Sequence, residues 1–165
     1  MRDVLGHLVR NAEMSFRSLT MDLLRGGFRP DRSVNKAATR LGELPVPELA
    51  SRLRAAEGGV HLPGLPEAMG LVDLLVHSAD AFRPVGLDVD APPADVGPAL
   101  DALWKTGRIV VHAVPQAGRT LVATDLDWSR GRGPEVRGKG MDLLLFVANR
   151  RQVLPLLEGP GLAAL

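Results

Sequence analysis

The chain has 165 residues, 45% of them hydrophobic and 24% charged, which is the make-up of a globular protein of one domain, or of one domain with a small appendage. Twenty basic residues against nineteen acidic ones leave a formal charge of +1, so no charge argument favours nucleic acid or an anionic membrane. With no cysteine, a disulfide framework, a zinc finger, an iron–sulfur site and a protein-borne catalytic thiol are all excluded. No apolar run approaches a membrane span, and the first residues lack a signal-peptide core, so the expected location is the cytoplasm.

The first element is a helix over residues 3–25, where Val4, Leu5, Leu8, Val9, Ala12, Phe16, Leu19 and Leu23 recur at three- and four-residue steps and Gly26-Gly27 stops the run. A weaker helix follows over 31–43, with Asp31 as N-cap. After Pro45 and Pro47 comes a short third helix over 48–57. The strongest helical pattern spans 66–83, from Pro66 in its first turn to Arg83 before Pro84. Residues 86–98 are broken by Pro and Gly and read as a loop, and 95–105 as a further short helix that tolerates Pro98 only in its first turn.

Beyond residue 105 the pattern changes. Arg108–Val114 is β-branched and apolar, Gln116-Ala117-Gly118 is turn material, and Arg119–Trp128 alternates again, so the two runs predict a β-hairpin. Ser129–Gly133 reads as a turn and Glu135–Arg137 as a third short strand. Met141–Ala148 predicts a helix that ends on Asn149 in the left-handed conformation. The expected organisation is therefore a helical bundle over 1–105 followed by a small α+β unit over 106–165.

One helix carries residues that its surroundings do not favour. Leu71, Val72, Leu74, Leu75, Val76 and Ala79 make the 66–83 helix apolar almost all round, so it should be largely buried. Asp73, His77 and Asp80 interrupt it at i, i+4 and i+7, on one stripe. Buried carboxylates and imidazoles need partners. They can bond one another, and a helix hydrogen bond between Asp73 and His77 is the plain reading. A metal ion would satisfy them better, and a carboxylate and a His one turn apart inside a bundle is a known way to build a metal site.

A further ligand would have to come from another helix. His7 lies at the margin of the first apolar stripe, beside Val4, Asn11 and Met14, and can point into the bundle or away from it. His61 falls in a Gly/Pro loop, and His112 in the predicted strand.

Several segments carry a family resemblance. Val4-Leu5-Gly6-His7-Leu8-Val9 resembles the first-helix His motif of the mycothiol-dependent maleylpyruvate isomerase family, within the DinB-like metal-binding helical bundles. Asp73-Leu74-Leu75-Val76-His77-Ser78-Ala79-Asp80-Ala81-Phe82-Arg83-Pro84-Val85-Gly86 is similar to that family's carboxylate-x-x-x-His-x-x-Asp-x-x-Arg-x-x-Gly signature. The run Ala123–Trp128 with Gly131–Gly138, and the closing Leu157-Glu158-Gly159-Pro160-Gly161, resemble its small C-terminal unit.

The resemblance implies a DinB-like antiparallel four-helix bundle followed by a small α+β unit. It implies a divalent metal, zinc by family habit, held by His7, Asp73 and His77 with one position open. In the family that position takes the thiol of mycothiol, a small thiol of actinobacteria, whose thiolate adds to an activated double bond and is later eliminated to give the isomer. Asp80 would then orient a ligand, and Arg83 would anchor a carboxylate of substrate or cofactor. Asp73 stands where the family commonly has Glu, one methylene longer. The chain also starts almost inside its first helix, as an N-terminally truncated member would.

The expected partners are a small-molecule thiol and a small-molecule substrate. The alternative is a non-catalytic metal-binding or interaction module of the same fold. Other signals are weaker. Arg130-Gly131-Arg132-Gly133-Pro134 with Arg137 and Lys139 reads as a solvated hairpin turn or an anion cradle, Asp125-x-Asp127 as strand-end turn chemistry, and Trp104 and Trp128 as core or interface residues.

Overall fold

The structure is a computed structural model, and it describes residues 2–13, 15, 38–56, 66–110 and 118–164. The chain is mostly helical with a small three-stranded sheet in its C-terminal part. It divides into two compact units, Met1–Val89 and Asp90–Leu165. The division therefore falls before the 93–110 helix, not after Lys105, because that helix packs on the last helix of the sheet-bearing unit. Among the described residues, no helix is long and apolar enough to cross a membrane.

The first unit is built from α1 (Arg2–Ala12), a short helical segment at 38–42, α2 (Val46–Ala55) and α3 (Ala68–Phe82). Helix α1 packs against both α2 and α3. Its Leu8 and Val9 are buried, as is Leu49 of α2, and α3 contributes Met69, Val72, Leu75, Val76 and Ala79 at helical spacing. Against the expectation that α3 is largely buried, Leu74 is 40% and Phe82 is 43% exposed. Arg52 of α2 ties the helices at their margin, reaching Glu48 at 2.9 Å and Glu13, just past α1, at 3.5 Å. Helix α3 gives way to a 3-10 turn at Arg83–Val85, and Gly86 follows at φ +79°. That left-handed residue returns its N–H to the Arg83 carbonyl at 3.0 Å and ends the helix. Helix α1 stops at Ala12, short of the predicted 3–25 helix, with Glu13 and Ser15 non-helical; the remainder of that prediction, most of the 31–43 helix, and His61 lie outside the described residues.

The second unit opens with α4 (Pro93–Val110), longer than predicted at both ends. Pro98 sits in its second turn, since only one backbone bond is lost there and Val96, Ala99, Leu100 and Leu103 bury a continuous face. Arg108, Ile109 and Val110 are helical, so the start of the first strand of the predicted hairpin belongs to the helix instead. The β-branched character of Ile109 and Val110 is outweighed by extension of a helix already nucleated. The remainder of that predicted strand, His112 included, lies outside the described residues.

The sheet has the order β2-β1-β3, with β1 (Thr120–Ala123), β2 (Ser129–Gly131) and β3 (Glu135–Gly138). Strand β1 pairs antiparallel with β2 and parallel with β3. The stretch predicted as a turn at Ser129–Gly133 thus begins as a strand, and the true reversal lies at 124–128. Helix α5 (Gly140–Val147) is buried along its whole length and is followed by Asn149 at φ +65°, the left-handed end that the sequence predicts.

The weaker motifs resolve into structure. Trp128 is buried, stacks edge to face on Trp104 with ring centres 6.4 Å apart, and donates its indole N–H to Asp101 Oδ1 at 2.9 Å. Asp125 Oδ1 accepts the Gly140 N–H at 2.8 Å and so closes the start of α5. Arg130 pairs with Asp101 and Arg137 with Glu135, each at 2.9 Å, so these two guanidiniums are engaged by the protein's own carboxylates.

Candidate metal centre

Helices α1 and α3 bring His7 and the Asp73 stripe face to face. On α1, the residues one turn apart that turn toward α3 are His7 and Asn11. On α3, Asp73, His77 and Asp80 share the facing stripe. His7 Nε2 lies 3.2 Å from Asp73 Oδ1, and His77 Nε2 lies 3.6 Å from the same oxygen. The two imidazole rings are nearly perpendicular with centres 4.5 Å apart. One ligand atom from each of His7, Asp73 and His77 lies within 4.8 Å of the other two, and this group could hold a metal ion.

The fit can be judged by geometry. Ligand bonds of ~2.0–2.2 Å in a tetrahedral site give ligand–ligand separations of roughly 3.3–3.6 Å. The two separations at Asp73 Oδ1, 3.2 and 3.6 Å, are of that size. His77 also has the outer partner that ligating imidazoles need, because its Nδ1 lies 3.3 Å from Asp80 Oδ2. A proton on Nδ1, donated to Asp80, leaves the Nε2 lone pair facing Asp73 and the space between the rings.

Asn11 and Arg10 complete the site, and neither stood among the residues assigned a role from the sequence. Both are buried. Arg10 Nη1 donates to Asn11 Oδ1 at 2.8 Å, which fixes the direction of the amide, since a guanidinium has no acceptor. The Asn11 nitrogen therefore faces inward. It donates to Asp73 Oδ2 at 2.9 Å and lies 2.9 Å from His7 Nε2. The available signal was the i, i+4 spacing of His7 and Asn11 on an amphipathic helix.

These contacts impose opposite demands on His7 Nε2. The Asn11 NH2 offers only protons and calls for a lone pair, while an ionised Asp73 Oδ1 offers only lone pairs and calls for a proton. A cation between Nε2 and Oδ1 would remove the conflict between those two atoms, because it accepts a lone pair from each; Nε2 has only one to give, so the Asn11 NH2 would then keep its bond to Asp73 Oδ2 alone.

Burial alone would raise the Asp73 pKa. Hydrogen bonds from His7 and Asn11, with the nearby charges of His7 and His77, outweigh it and hold the carboxyl below its ordinary value of 3.8. A lowered native pKa means that the unfolded chain binds more protons between the two values. Asp73 therefore adds stability that is complete above the ordinary carboxylate pKa and is lost as the pH falls through the lowered native one. Urea unfolding of the metal-free first-unit helices, followed by circular dichroism from neutral pH down through that window, should show this acid-labile increment. Asp73→Asn should remove it, and an unchanged acid slope in that variant would speak against it.

Arg83 sits in the 3-10 turn beyond α3, where its Nε donates to Asp88 Oδ1 at 3.1 Å. It does not belong to the group that meets at Asp73. Asp80 meets that group through His77.

Comparison with models of known protein families, with curated proteins and with solved structures returns no match.

Proposed function

We propose that this chain is a divalent-metal-dependent enzyme of thiol chemistry, akin to the mycothiol-dependent maleylpyruvate isomerases and working in the cytoplasm on a DinB-like four-helix scaffold. The observation that carries the reading is the convergence of His7 Nε2 and His77 Nε2 on one carboxylate oxygen of Asp73. Two imidazoles and a carboxylate suit zinc, and three protein donors leave a coordination position for an exchangeable group. When bound there, the cation supplies Lewis-acid chemistry and lowers the pKa of a thiol at the open position.

The protein's own contribution is placement. Asp80 holds His77 in the tautomer that presents Nε2, and Asp73 supplies the negative charge that makes a dication welcome between two neutral rings. The chain has no cysteine, so the reacting sulfur has to come from a small molecule, and mycothiol is the thiol we propose. The substrate belongs to the class of small electrophiles that accept a thiolate.

Protein purified without chelators should contain about one divalent ion per chain by elemental analysis. Cobalt-loaded protein titrated with mycothiol should then develop a thiolate-to-cobalt charge-transfer band. Metal without such a band would favour the non-catalytic metal-binding module. No metal, together with a melting temperature unmoved by zinc, would reject both readings, because a ligand that binds only the native state must raise apparent stability.

A further inference from the structure

The second carboxylate oxygen of Asp73 points to a role for Asn11. A free carboxylate can grip a metal with both oxygens or with one. Here Oδ1 faces the two imidazoles, while Oδ2 is taken by the Asn11 amide at 2.9 Å. That amide cannot turn over without pressing its NH2 against the Arg10 guanidinium, which now donates to Asn11 Oδ1 at 2.8 Å. Asn11 and Arg10 are both buried, so water does not readily replace either contact.

We propose that Asn11 is the positioning residue of the centre. It holds Oδ2, makes Asp73 a one-oxygen ligand through Oδ1, and so limits the protein to three donor atoms. This deepens the metal-site reading and rests on it. The consequence is a low coordination number that leaves room for an exogenous group, with a preference for zinc over oxygen-seeking ions such as magnesium, which demand more ligands. The short side chain of Asp73 suits this arrangement: it sits one turn before His77 on α3 and meets both rings with a single oxygen.

The test uses the full chain loaded with cobalt(II), whose visible absorption is strong in four-coordinate sites and weakens as ligands are added. Wild-type protein should give the strong spectrum. In Asn11→Ala, the freed Oδ2 can join the ion, so the band should weaken at saturating cobalt, and zinc affinity should fall by about 10–100-fold, as for other outer partners of metal ligands. Asn11→Asp keeps the shape and the Arg10 contact but has no proton to donate to Asp73. It should also weaken the band, and it serves if the alanine variant does not fold.

A purely structural Asn11 would change stability and leave the cobalt spectrum of the folded, saturated variant as in wild type. That result would overturn the proposal while the metal site stands. If wild-type protein binds neither zinc nor cobalt, the metal reading itself falls and this role falls with it.

Discussion

His77→Ala is expected to lower zinc affinity by more than about 100-fold, beyond the range seen when only an outer partner is lost. The variant removes one of three donors and leaves Asp73 Oδ1 with His7 alone on its metal-facing side. The loss corresponds to at least about 2.8 kcal/mol, at roughly 1.4 kcal/mol per tenfold. Stability should report the same number. Zinc at a hundred times its dissociation constant stabilises the native state by about 2.7 kcal/mol, and at its dissociation constant by only about 0.4 kcal/mol. A zinc concentration that raises the melting temperature of wild type by roughly 10 °C or more should therefore barely move the variant.

Without metal the two proteins should melt close together, because the His77 side chain is 26% exposed and fills little of the core. Asp80→Asn should fall between them, since it disturbs only the Nδ1 side of the ring. Calorimetric titration with zinc and thermal melts measure both quantities. Equal zinc affinity in wild type and His77→Ala would remove His77 from the site.

Part of this site was legible in the sequence because it is local. Asp73, His77 and Asp80 lie on one helix, and the 3.6-residue repeat places them on one stripe whatever else the chain does. His7 was legible only as a candidate. Its ring could have faced either way, and what turns it inward is the packing of α1 on α3, a contact between residues 66 positions apart in the chain. The family resemblance named it, and the helix wheel did not. Asn11 was passed over because a single amide on a helix has no chemistry of its own until the groups it touches are known.

The same division between local and non-local explains the fold. The left-handed Asn149 and the stop after α3 depend on neighbouring residues and were readable. The parallel pairing of β1 with β3 was not, since the strands are short and the antiparallel partner β2 intervenes in sequence. Arg108–Val110 misled for a related reason. Three β-branched or long residues carry a strand preference that a helix arriving from Pro93 overrides. The unit boundary followed from that error, because a strand after Lys105 would have placed the preceding helix with the first unit.

Two glycine-to-alanine substitutions should then have opposite signs although both lie inside helices. At an exposed helical position the change is favourable by about 1 kcal/mol. At Gly97 of α4 an added methyl would lie 3.7 Å from Leu126 Cδ1, an ordinary contact, so Gly97→Ala should be neutral or stabilising. At Gly6 of α1 the methyl would run into the carbonyl oxygen of Ala38 and lie 2.7 Å from the amide nitrogen of Gly42. Both are backbone atoms, so no side-chain rotation relieves the clash, and α1 and the 38–42 segment must separate. Overpacking of this kind costs about 1–3 kcal/mol, which offsets or exceeds the helical gain.

The shift would also carry His7, one residue along α1, away from Asp73, where 3.2 Å leaves little slack. Gly6→Ala should therefore lower both the urea midpoint and the zinc affinity, while Gly97→Ala, in the other unit, lowers neither. If Gly6→Ala proved as stable as wild type and bound zinc equally well, the close approach of α1 to the 38–42 segment would not be what seats His7.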